Sequence, residues 1–429
     1  MSVQKKAFGL WSAVFLGIGS MVGIGIFIVI GEAGAIAGNL VILTFLLGGL
    51  IALLAGYSLA KLALAYPSRG GVIEYLVQEY GEGYFSGVTG VLFYLAQIIG
   101  LAAVLKSFGT YAATYTPWGI ESWVVNSFAL GILAIFVVIN LVGATVVAKS
   151  ENLIVIIKLT ALIVFVGAAL FFVNPAYLLP KEHLPIINLF YALGLVFFAY
   201  QGFSVITNSV EDMEDPKKNM LPSMMIAIGF VIVLYTLTAV AVLGNLPLSE
   251  VIKAKDYALA EAAKPIFGDL GFKVMAAVAL ISSMSAINAS LYAATQISYE
   301  LAKEGDLPKV YTYNLFHSTE GLIVSALLIV PMVLFMDLDE IATVAAIVVL
   351  FIHGFVHSGH LFKIEVTKAN RLLVFLAAIG SFAAALFALI YTHQKMPMVG
   401  WYVAGFFFGA YLLEMGLRYF TGRKIKGQS

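Results

Sequence analysis

Residues 17–27 read GIGSMVGIGIF, and residues 197–203 read FFAYQGF. The first stretch repeats glycine inside an apolar run, and the second places Gln201 and Gly202 inside another. Glycine in a helix interior costs about 1 kcal/mol relative to alanine, and an opened backbone in lipid leaves polar groups unpaired. Such a break is tolerated where it lines a cavity or a ligand. We therefore expect two membrane helices that are interrupted at these glycines.

The composition is that of a polytopic, all-α membrane protein. The 429 residues are 61% hydrophobic and 11% charged, with a mean hydropathy of +0.98, whereas a soluble protein carries about 25% charged residues. A spanning helix needs about 20 apolar residues. We predict twelve such helices, at 8–37, 40–65, 86–115, 122–147, 152–173, 186–210, 221–243, 271–302, 320–336, 340–362, 370–391 and 398–420. The absence of cysteine excludes disulfide and thiol chemistry, and the zero net charge gives no indication of nucleic-acid binding.

The two glycine breaks occupy corresponding places in the chain. Gly25 lies in the first helix of one five-helix set (8–173) and Gly202 in the first helix of a second set (186–362). Because five is odd, the second set enters the membrane the other way up, which is the pattern of an inverted repeat with broken helices at matching positions. Residues 370–420 then form two additional helices. The alternative is that the glycines only allow close helix packing.

Lysine and arginine are more frequent in the segments on the N-terminal side of the membrane, which predicts that both termini are cytoplasmic. Lys106 is among the lysines assigned to the outer side. The start MSVQKKAFGLW lacks the features of a cleavable signal, so the first helix is expected to stay. We expect a multi-pass protein of the plasma membrane whose partner is the lipid bilayer, with no obligatory protein partner.

Several motifs together resemble those of the amino acid–polyamine–organocation (APC) transporters. They are Gly23-Ile24-Gly25-Ile26-Phe27, Pro67-Ser68-Arg69-Gly70-Gly71 with Tyr75 and Gly81, Phe198-Ala199-Tyr200-Gln201-Gly202-Phe203, Glu211 with Pro216-Lys217-Lys218-Asn219, and Asn288 with Glu304-Gly305-Asp306-Leu307-Pro308. The resemblance runs from Leu10 to about His360. It implies the LeuT-like 5+5 fold and transport of amino acids. It is strongest to archaeal proton-coupled members that carry a lysine in the fifth helix.

The broken helices suggest how a substrate is bound. The second half of helix 1 presents backbone N–H groups at its positive end, which suits a carboxylate; Ile24, Gly25 and Ile26 supply them. The break in helix 6 exposes carbonyls of Phe198, Ala199 and Gln201, which suit an ammonium group. A ligand that carries both groups on one carbon is an α-amino acid, and the resemblance implies the same arrangement.

The remaining pocket side chains predict a neutral substrate. Met21, Ile24 and Phe198 are apolar, and we expect no acidic residue at mid-depth in helices 1, 3, 6, 8 or 10. Phe198 is either an aromatic lid that closes over the substrate or an ordinary packing residue.

Lys158 interrupts the apolar run of helix 5. A charge at mid-membrane costs about 3 kcal/mol on insertion scales, and an unpaired buried lysine readily loses its proton. In many proteins of the resembling fold a sodium ion lies between carbonyls of helix 1 and hydroxyls of helix 8. The matching groups here are the carbonyls of Gly19 and Val22 and the hydroxyls of Ser282 and Ser283. Lys158 is thus a candidate proton-coupling group, with a structural tether and a snorkelling lysine as alternatives.

Three further features have weaker interpretations. His353, His357 and His360 share one face of helix 10, where packing, a proton path or a metal site are the alternatives. The segment LPLSEVIKAKDYALAEAAKPIFG is expected to form a short outer gate helix whose charges face solvent. Glu211, Glu300 and Asp306 are expected to make polar contacts at the inner gate.

These observations favour a proton-coupled importer of neutral amino acids without any cofactor. The alternatives are an amino acid exchanger or facilitator, in which Lys158 is only structural, and a non-transporting amino acid sensor. No nucleophile, base or metal cluster indicates a membrane enzyme, no continuous polar stripe indicates a channel, and a transporter of two six-helix halves would not explain the two breaks.

Overall fold

The computed structural model describes residues 9–68, 70–142, 145–179, 185–304, 307–316 and 318–421. In this part of the chain nearly all residues are helical, with one small hairpin. The helices are α1 Leu10–Met21, α2 Gly25–Ala37, α3 Val41–Ala65, α4 Val72–Tyr80, α5 Tyr84–Ala113, α6 Ser122–Val142, α7 Thr145–Phe171, α8 Pro175–Leu178, α9 Ile187–Tyr191, α10 Leu193–Ala199, α11 Ser204–Asn208, α12 Pro216–Asn245, α13 Leu248–Ala254, α14 Ala258–Glu261, α15 Lys264–Glu304, α16 Glu320–Phe335, α17 Leu338–His360, α18 Ile364–Thr367, α19 Arg371–Lys395 and α20 Pro397–Thr421.

Short 3₁₀ turns and one hairpin complete the secondary structure. The 3₁₀ turns are Gly38–Leu40, Val210–Asp212, Lys255–Tyr257 and Lys309–Thr312. Strands β1 Asn314–Leu315 and β2 Ser318–Thr319 pair antiparallel, with Asn314 opposite Thr319.

The hydropathy of the helices confirms a multi-pass membrane protein. Within the described residues, nine helical segments are long and apolar enough to cross a membrane, and one of them, Gly25–Ala65, comprises α2, a 3₁₀ turn and α3. Two shorter apolar helices, α1 and α16, accompany them. The helices begin and end close to the predicted limits. The count of twelve spans and the division into two inverted repeats stay predictions.

Both expected helix breaks are present. α1 ends at Met21 and α2 begins at Gly25, while Val22 leaves the helical region with φ −79° and ψ 74°. α10 ends at Ala199 and α11 begins at Ser204; between them Gly202 has a φ of +115°, which glycine adopts without steric cost. Each break therefore lies at the glycines that the sequence indicated.

The broken helices lie at the centre of the helix packing. α10 contacts α2, α3 and α17, and α1 contacts α12 and α11. Longer helices surround this centre, with α5 packed against α15 and α17, and α3 packed against α12 and α19. Two pairs of helix ends, where the terminal backbone groups lack partners within their own helix, are thereby placed side by side in the interior.

Candidate functional site

The two helix breaks face each other at very short range. A Cβ added to Gly25 would lie 3.2 Å from Ala199 Cα, and one added to Gly202 would lie 2.8 Å from Ser20 Oγ. The glycines therefore allow the backbones of helix 1 and helix 6 to approach without an intervening side chain. This proximity puts the N–H groups that open α2 beside the carbonyls that close α10.

Side chains from other helices cap the carbonyls at the end of α1. The Lys158 ammonium donates to Gly19 O at 2.9 Å, and the Tyr235 hydroxyl donates to Met21 O at 2.8 Å. The C-terminal end of a helix carries partial negative charge, so a lysine there is electrostatically favoured. The first N–H groups of α2 have no intrahelical acceptor. The break consequently presents donors toward α2 and capped acceptors toward α1.

The predicted substrate-binding residues at this junction differ in how far their side chains are exposed. Met21, Ile24, Ile26 and Ala199 are buried, and Phe198 is half-buried. These five contribute apolar surface, apart from their backbone atoms.

The polar groups in the break of helix 6 differ in availability. Among the described residues, the half-buried Gln201 has no hydrogen-bond partner for its side-chain Nε2. The Phe198 carbonyl already accepts the Gln201 N–H at 3.1 Å, so one of its two acceptor positions is occupied. Unpaired polar groups at this junction are available to a ligand.

The residues around the breaks are more exposed on the α1 side than on the α2 side. Ser20 is exposed and Gly23 and Gly25 are partly exposed, whereas residues 26–34 are all buried.

The predicted coupling groups are all buried. Lys158 is only 4% exposed, so its side chain does not reach outward as a snorkelling lysine would. Ser283 Oγ donates to Ala279 O at 2.7 Å, while among the described residues Ser282 Oγ has no hydrogen-bond partner. Val22 is buried beside Gly19 in the α1 break. α7, which carries Lys158, packs against α15, which carries both serines.

The α2 side is closed by a charged group that the sequence analysis did not assemble, here named the Lys255 cluster: Glu32, Lys255 and Asp339. Lys255 Nζ lies 2.6 Å from Asp339 Oδ2 and 3.2 Å from Glu32 Oε2, and Glu32 is only 2% exposed. A Cβ on Gly31 would lie 1.8 Å from Lys255 O. The backbone after α13 thus rests directly on α2.

The Lys255 cluster corrects two expectations. The segment between helices 7 and 8 forms α13, a 3₁₀ turn and α14 rather than one helix. The charge of Lys255 does not simply face solvent: burial lowers its pKa, but the carboxylates of Glu32 and Asp339 raise the pKa above its ordinary value overall. Glu32 is an acidic residue of helix 1, about 10 Å from Gly25 at 1.5 Å per residue, and is paired with Lys255. It therefore leaves the substrate junction without a counter-charge.

Other predicted residues have these positions. Lys106, assigned above to the outer side, is buried in α5 and donates to Asn126 Oδ1 at 2.8 Å. Asn288 accepts from Asn140 at 3.1 Å, linking α15 to α6. Arg69, Gly305, Asp306 and the side chain of Glu300 lie outside the described residues.

The three histidines of helix 10 are buried in α17. His357 and His360 both contact Ser58 Oγ of α3, at 2.9 and 2.7 Å. No group of three or more metal-ligating side chains is found among the described residues.

Sequence reasoning missed Glu32 and Tyr235. A lone carboxylate in an apolar helix is a signal that could have identified Glu32. Tyr235 lies in the apolar run of α12 and has no distinguishing sequence signal.

A multi-pass helical protein with two facing helix breaks that expose opposite backbone charges belongs to the class of secondary transporters. Residues 8–416 match the amino acid permease family. The chain belongs to this family, within the APC superfamily, and its function is the transport of amino acids across a membrane rather than enzymatic catalysis.

Individual relatives agree with this assignment. The chain is 33% identical to an uncharacterized protein of Methanocaldococcus jannaschii, covering 99% of this chain and 98% of the relative. It is 33% identical to the inner membrane transport protein YbaT of Escherichia coli over 80% of each chain. It is 27% identical to the serine/threonine exchanger SteT of Bacillus subtilis, covering 71% of this chain and 70% of the relative.

Proposed function

We propose that this protein imports neutral amino acids together with protons by alternating access, with Lys158 as the proton-coupling group. The observation that carries the proposal is the buried Lys158 ammonium, 2.9 Å from the carbonyl of Gly19 at the break of helix 1. We infer that this cation, tethered to the protein, takes the place of the sodium ion that the resembling fold holds. The proton is then the coupling ion, and no cofactor is needed.

The substrate is bound by the backbone at the two breaks. The N–H groups of Ile24, Gly25 and Ile26 receive the carboxylate at the positive end of α2, and carbonyls of Ala199 and its neighbours receive the ammonium group. The buried apolar side chains of the junction favour small and medium neutral side chains. Phe198, which is half-buried, closes over the bound amino acid.

Lys158 couples protonation to conformation. When protonated, the ammonium holds α7 to the end of α1, with the Ser282 and Ser283 hydroxyls of α15 supplying further acceptors beside Gly19 and Val22. This favours the outward-facing, substrate-binding state. When Lys158 releases its proton, the favourable charge on the α1 carbonyls is lost, and the weakened contact permits opening to the cytoplasm. We place the protein in the plasma membrane with both termini cytoplasmic.

Uptake of labelled alanine into proteoliposomes under an imposed pH gradient, without sodium, tests the proposal. We expect accumulation by the wild type and by Lys253→Ala, an exposed lysine that serves as the matched control. We expect no gradient-driven accumulation by Lys158→Ala, although alanine binding persists. Equal accumulation by Lys158→Ala would remove this lysine from coupling. No uphill transport by the wild type would refute symport.

Exchange is the second candidate, because the relative SteT is named a serine/threonine exchanger. Preloading the vesicles with unlabelled alanine separates the two. An exchanger takes up label only when an internal amino acid is present, whereas a symporter accumulates label into empty vesicles when a pH gradient is applied.

A further inference from the structure

A chain of buried polar side chains connects α3, α17 and α18, and we name it the histidine chain: His353, His357, Ser58, His360 and Thr367. Ser58 Oγ lies 2.9 Å from His357 Nδ1 and 2.7 Å from His360 Nδ1. His360 Nε2 lies 2.9 Å from Thr367 Oγ1. His357, His360 and Ser58 are 0% exposed, whereas the two ends, His353 and Thr367, are 6% and 7% exposed.

The hydrogens in this chain can be assigned by counting donors. In one consistent assignment, Thr367 donates its one hydroxyl hydrogen to Lys363 O at 3.1 Å and accepts from His360 Nε2–H. In a neutral imidazole the other nitrogen is then an acceptor, and His360 Nδ1 receives the Ser58 hydroxyl hydrogen. Ser58 Oγ in turn accepts from Nδ1–H of His357. This leaves His357 Nε2 with a lone pair.

That lone pair has no donor. Among the described residues, His357 Nε2 and His353 Nδ1 are buried atoms without a hydrogen-bond partner. A buried polar atom without a partner costs free energy, and a purely structural contact between α3 and α17 would need only one imidazole on Ser58. The histidine chain therefore contains two buried ring nitrogen atoms that are not engaged in hydrogen bonds among the described residues.

The histidine chain begins at the break of helix 6. The His353 ring centroid lies 5.4 Å from that of Phe197 and 5.7 Å from that of Phe203, the residues that flank the break. The His353 and His357 centroids are 5.5 Å apart, a distance that a ring rotation or one water molecule spans. A proton at His353 thus has a route from the substrate junction to His357.

Charged and titratable groups from three other elements face this end of α17. The groups facing this end of α17 are Lys61 of α3, Glu79 and Tyr80 of α4, and Lys363 before α18. Lys61 repels a charge on His360. Both histidines lie near the C-terminus of α17, where the helix dipole favours a cation.

We propose that the histidine chain is a second proton-binding site, in which His357 Nε2 takes up a proton that arrives through His353 from the break of helix 6. The bound ligand is a proton, and no covalent bond other than N–H forms. The site rests on the proposed proton coupling and adds a relay toward the α1 side of the membrane, which is the predicted cytoplasmic side.

Nitrogen-15 NMR of the purified full chain, with labelled histidine rings, tests the site without any need for transport. In wild type at neutral pH we expect His357 to carry hydrogen on Nδ1 only and His360 on Nε2 only, and we expect acidification to protonate His357 Nε2. The variant His357→Asn retains a side-chain donor for Ser58 but removes the basic nitrogen. His393→Asn, an exposed position on α19, is the matched control.

Uptake experiments give the second readout. We expect His357→Asn to reduce pH-gradient-driven alanine uptake by about tenfold or more, while downhill exchange persists. We expect His393→Asn to have no effect on either. Ser58→Ala, which interrupts the chain without changing an imidazole, should reproduce this loss.

Two results would overturn the relay. One is a hydrogen on His357 Nε2 at every pH. The other is that uptake by His357→Asn depends on pH as it does in wild type, while Lys158→Ala loses gradient-driven accumulation. That result would leave Lys158 as the coupling group without a relay. If the wild type shows no proton coupling at all, the NMR titration still decides whether His357 binds a proton.

Discussion

Replacing Gly31 by alanine should open the closed α2 side of the transporter. The new Cβ would lie 1.8 Å from Lys255 O and 2.7 Å from Lys255 C. These are backbone atoms, which cannot rotate away as a flexible side chain would. Lys255 already has a φ of +27°, which an L residue rarely adopts, so this backbone has little freedom to adjust.

The size of the effect follows from the overlap. To reach 3.0 Å, the shortest separation that real Cβ atoms tolerate, the Lys255 carbonyl oxygen must move by about 1.2 Å. Overpacking of this kind costs about 1–3 kcal/mol. At about 1.4 kcal/mol per factor of ten, the closed arrangement loses about 5- to 150-fold in population relative to an open one.

The assay uses the natural absence of cysteine from the chain. Ala258 is 0% exposed and its Cβ would lie 3.0 Å from the new Cβ of Gly31→Ala. A cysteine introduced by Ala258→Cys therefore reports separation of α14 from α2. In intact cells, an impermeant maleimide should label Ala258→Cys faster, by a factor within that range, when Gly31→Ala is also present.

Two controls separate opening from unfolding. Gly229→Ala, in α12, has no atom within 4 Å of its new Cβ and should leave the labelling rate unchanged. Ala384→Cys, fully buried in α19, should stay unlabelled in the Gly31→Ala background. An unchanged labelling rate at Ala258→Cys would refute the assignment of this contact as the closure of the α2 side.

Three other substitutions test the break and its surroundings. Gly202→Ala combines a φ of +115° with a Cβ only 2.8 Å from Ser20 Oγ, so alanine binding in equilibrium dialysis should weaken by about 5- to 150-fold, given a cost of about 1–3 kcal/mol. Tyr235→Phe removes the hydrogen bond to Met21 O and should lower the free energy of unfolding by about 1 kcal/mol, measured by thermal denaturation in detergent. Burial raises the pKa of the Glu79 carboxyl above its ordinary value, so the native state binds this proton more tightly than the unfolded state. The free energy of unfolding therefore falls as pH rises from the pKa of the unfolded state toward that of the native state. Glu79→Gln should therefore raise Tm over wild type by an amount that grows with pH, and a pH-independent difference would contradict this.

The sequence predicted those features that depend on backbone hydrogen bonds within a single membrane helix. In lipid a backbone must satisfy its hydrogen bonds within its own helix, so hydropathy and glycine position nearly determine where helices begin, break and end. The predicted breaks at Gly25 and Gly202 follow from this requirement. The same pattern led to the family, which the match over residues 8–416 confirms.

Side-chain partners depended on the tertiary structure. Lys255 appeared to be one charge in a solvated segment, yet it binds Glu32 and Asp339 from helices far away in the chain. Tyr235 of α12 and Lys158 of α7 both donate hydrogen bonds to carbonyls at the end of α1.

The physical difference lies in the range of the interactions. Hydropathy and backbone hydrogen bonds act within a few residues, so the sequence by itself determined the membrane class, the helix limits and the two breaks. Pairing of buried charges depends on how helices pack, because a lysine reaches whichever carboxylate or carbonyl the packing brings within about 3 Å. Only the tertiary structure therefore decided that Glu32 closes the α2 side with Lys255 and that Ser58 joins two histidines of α17.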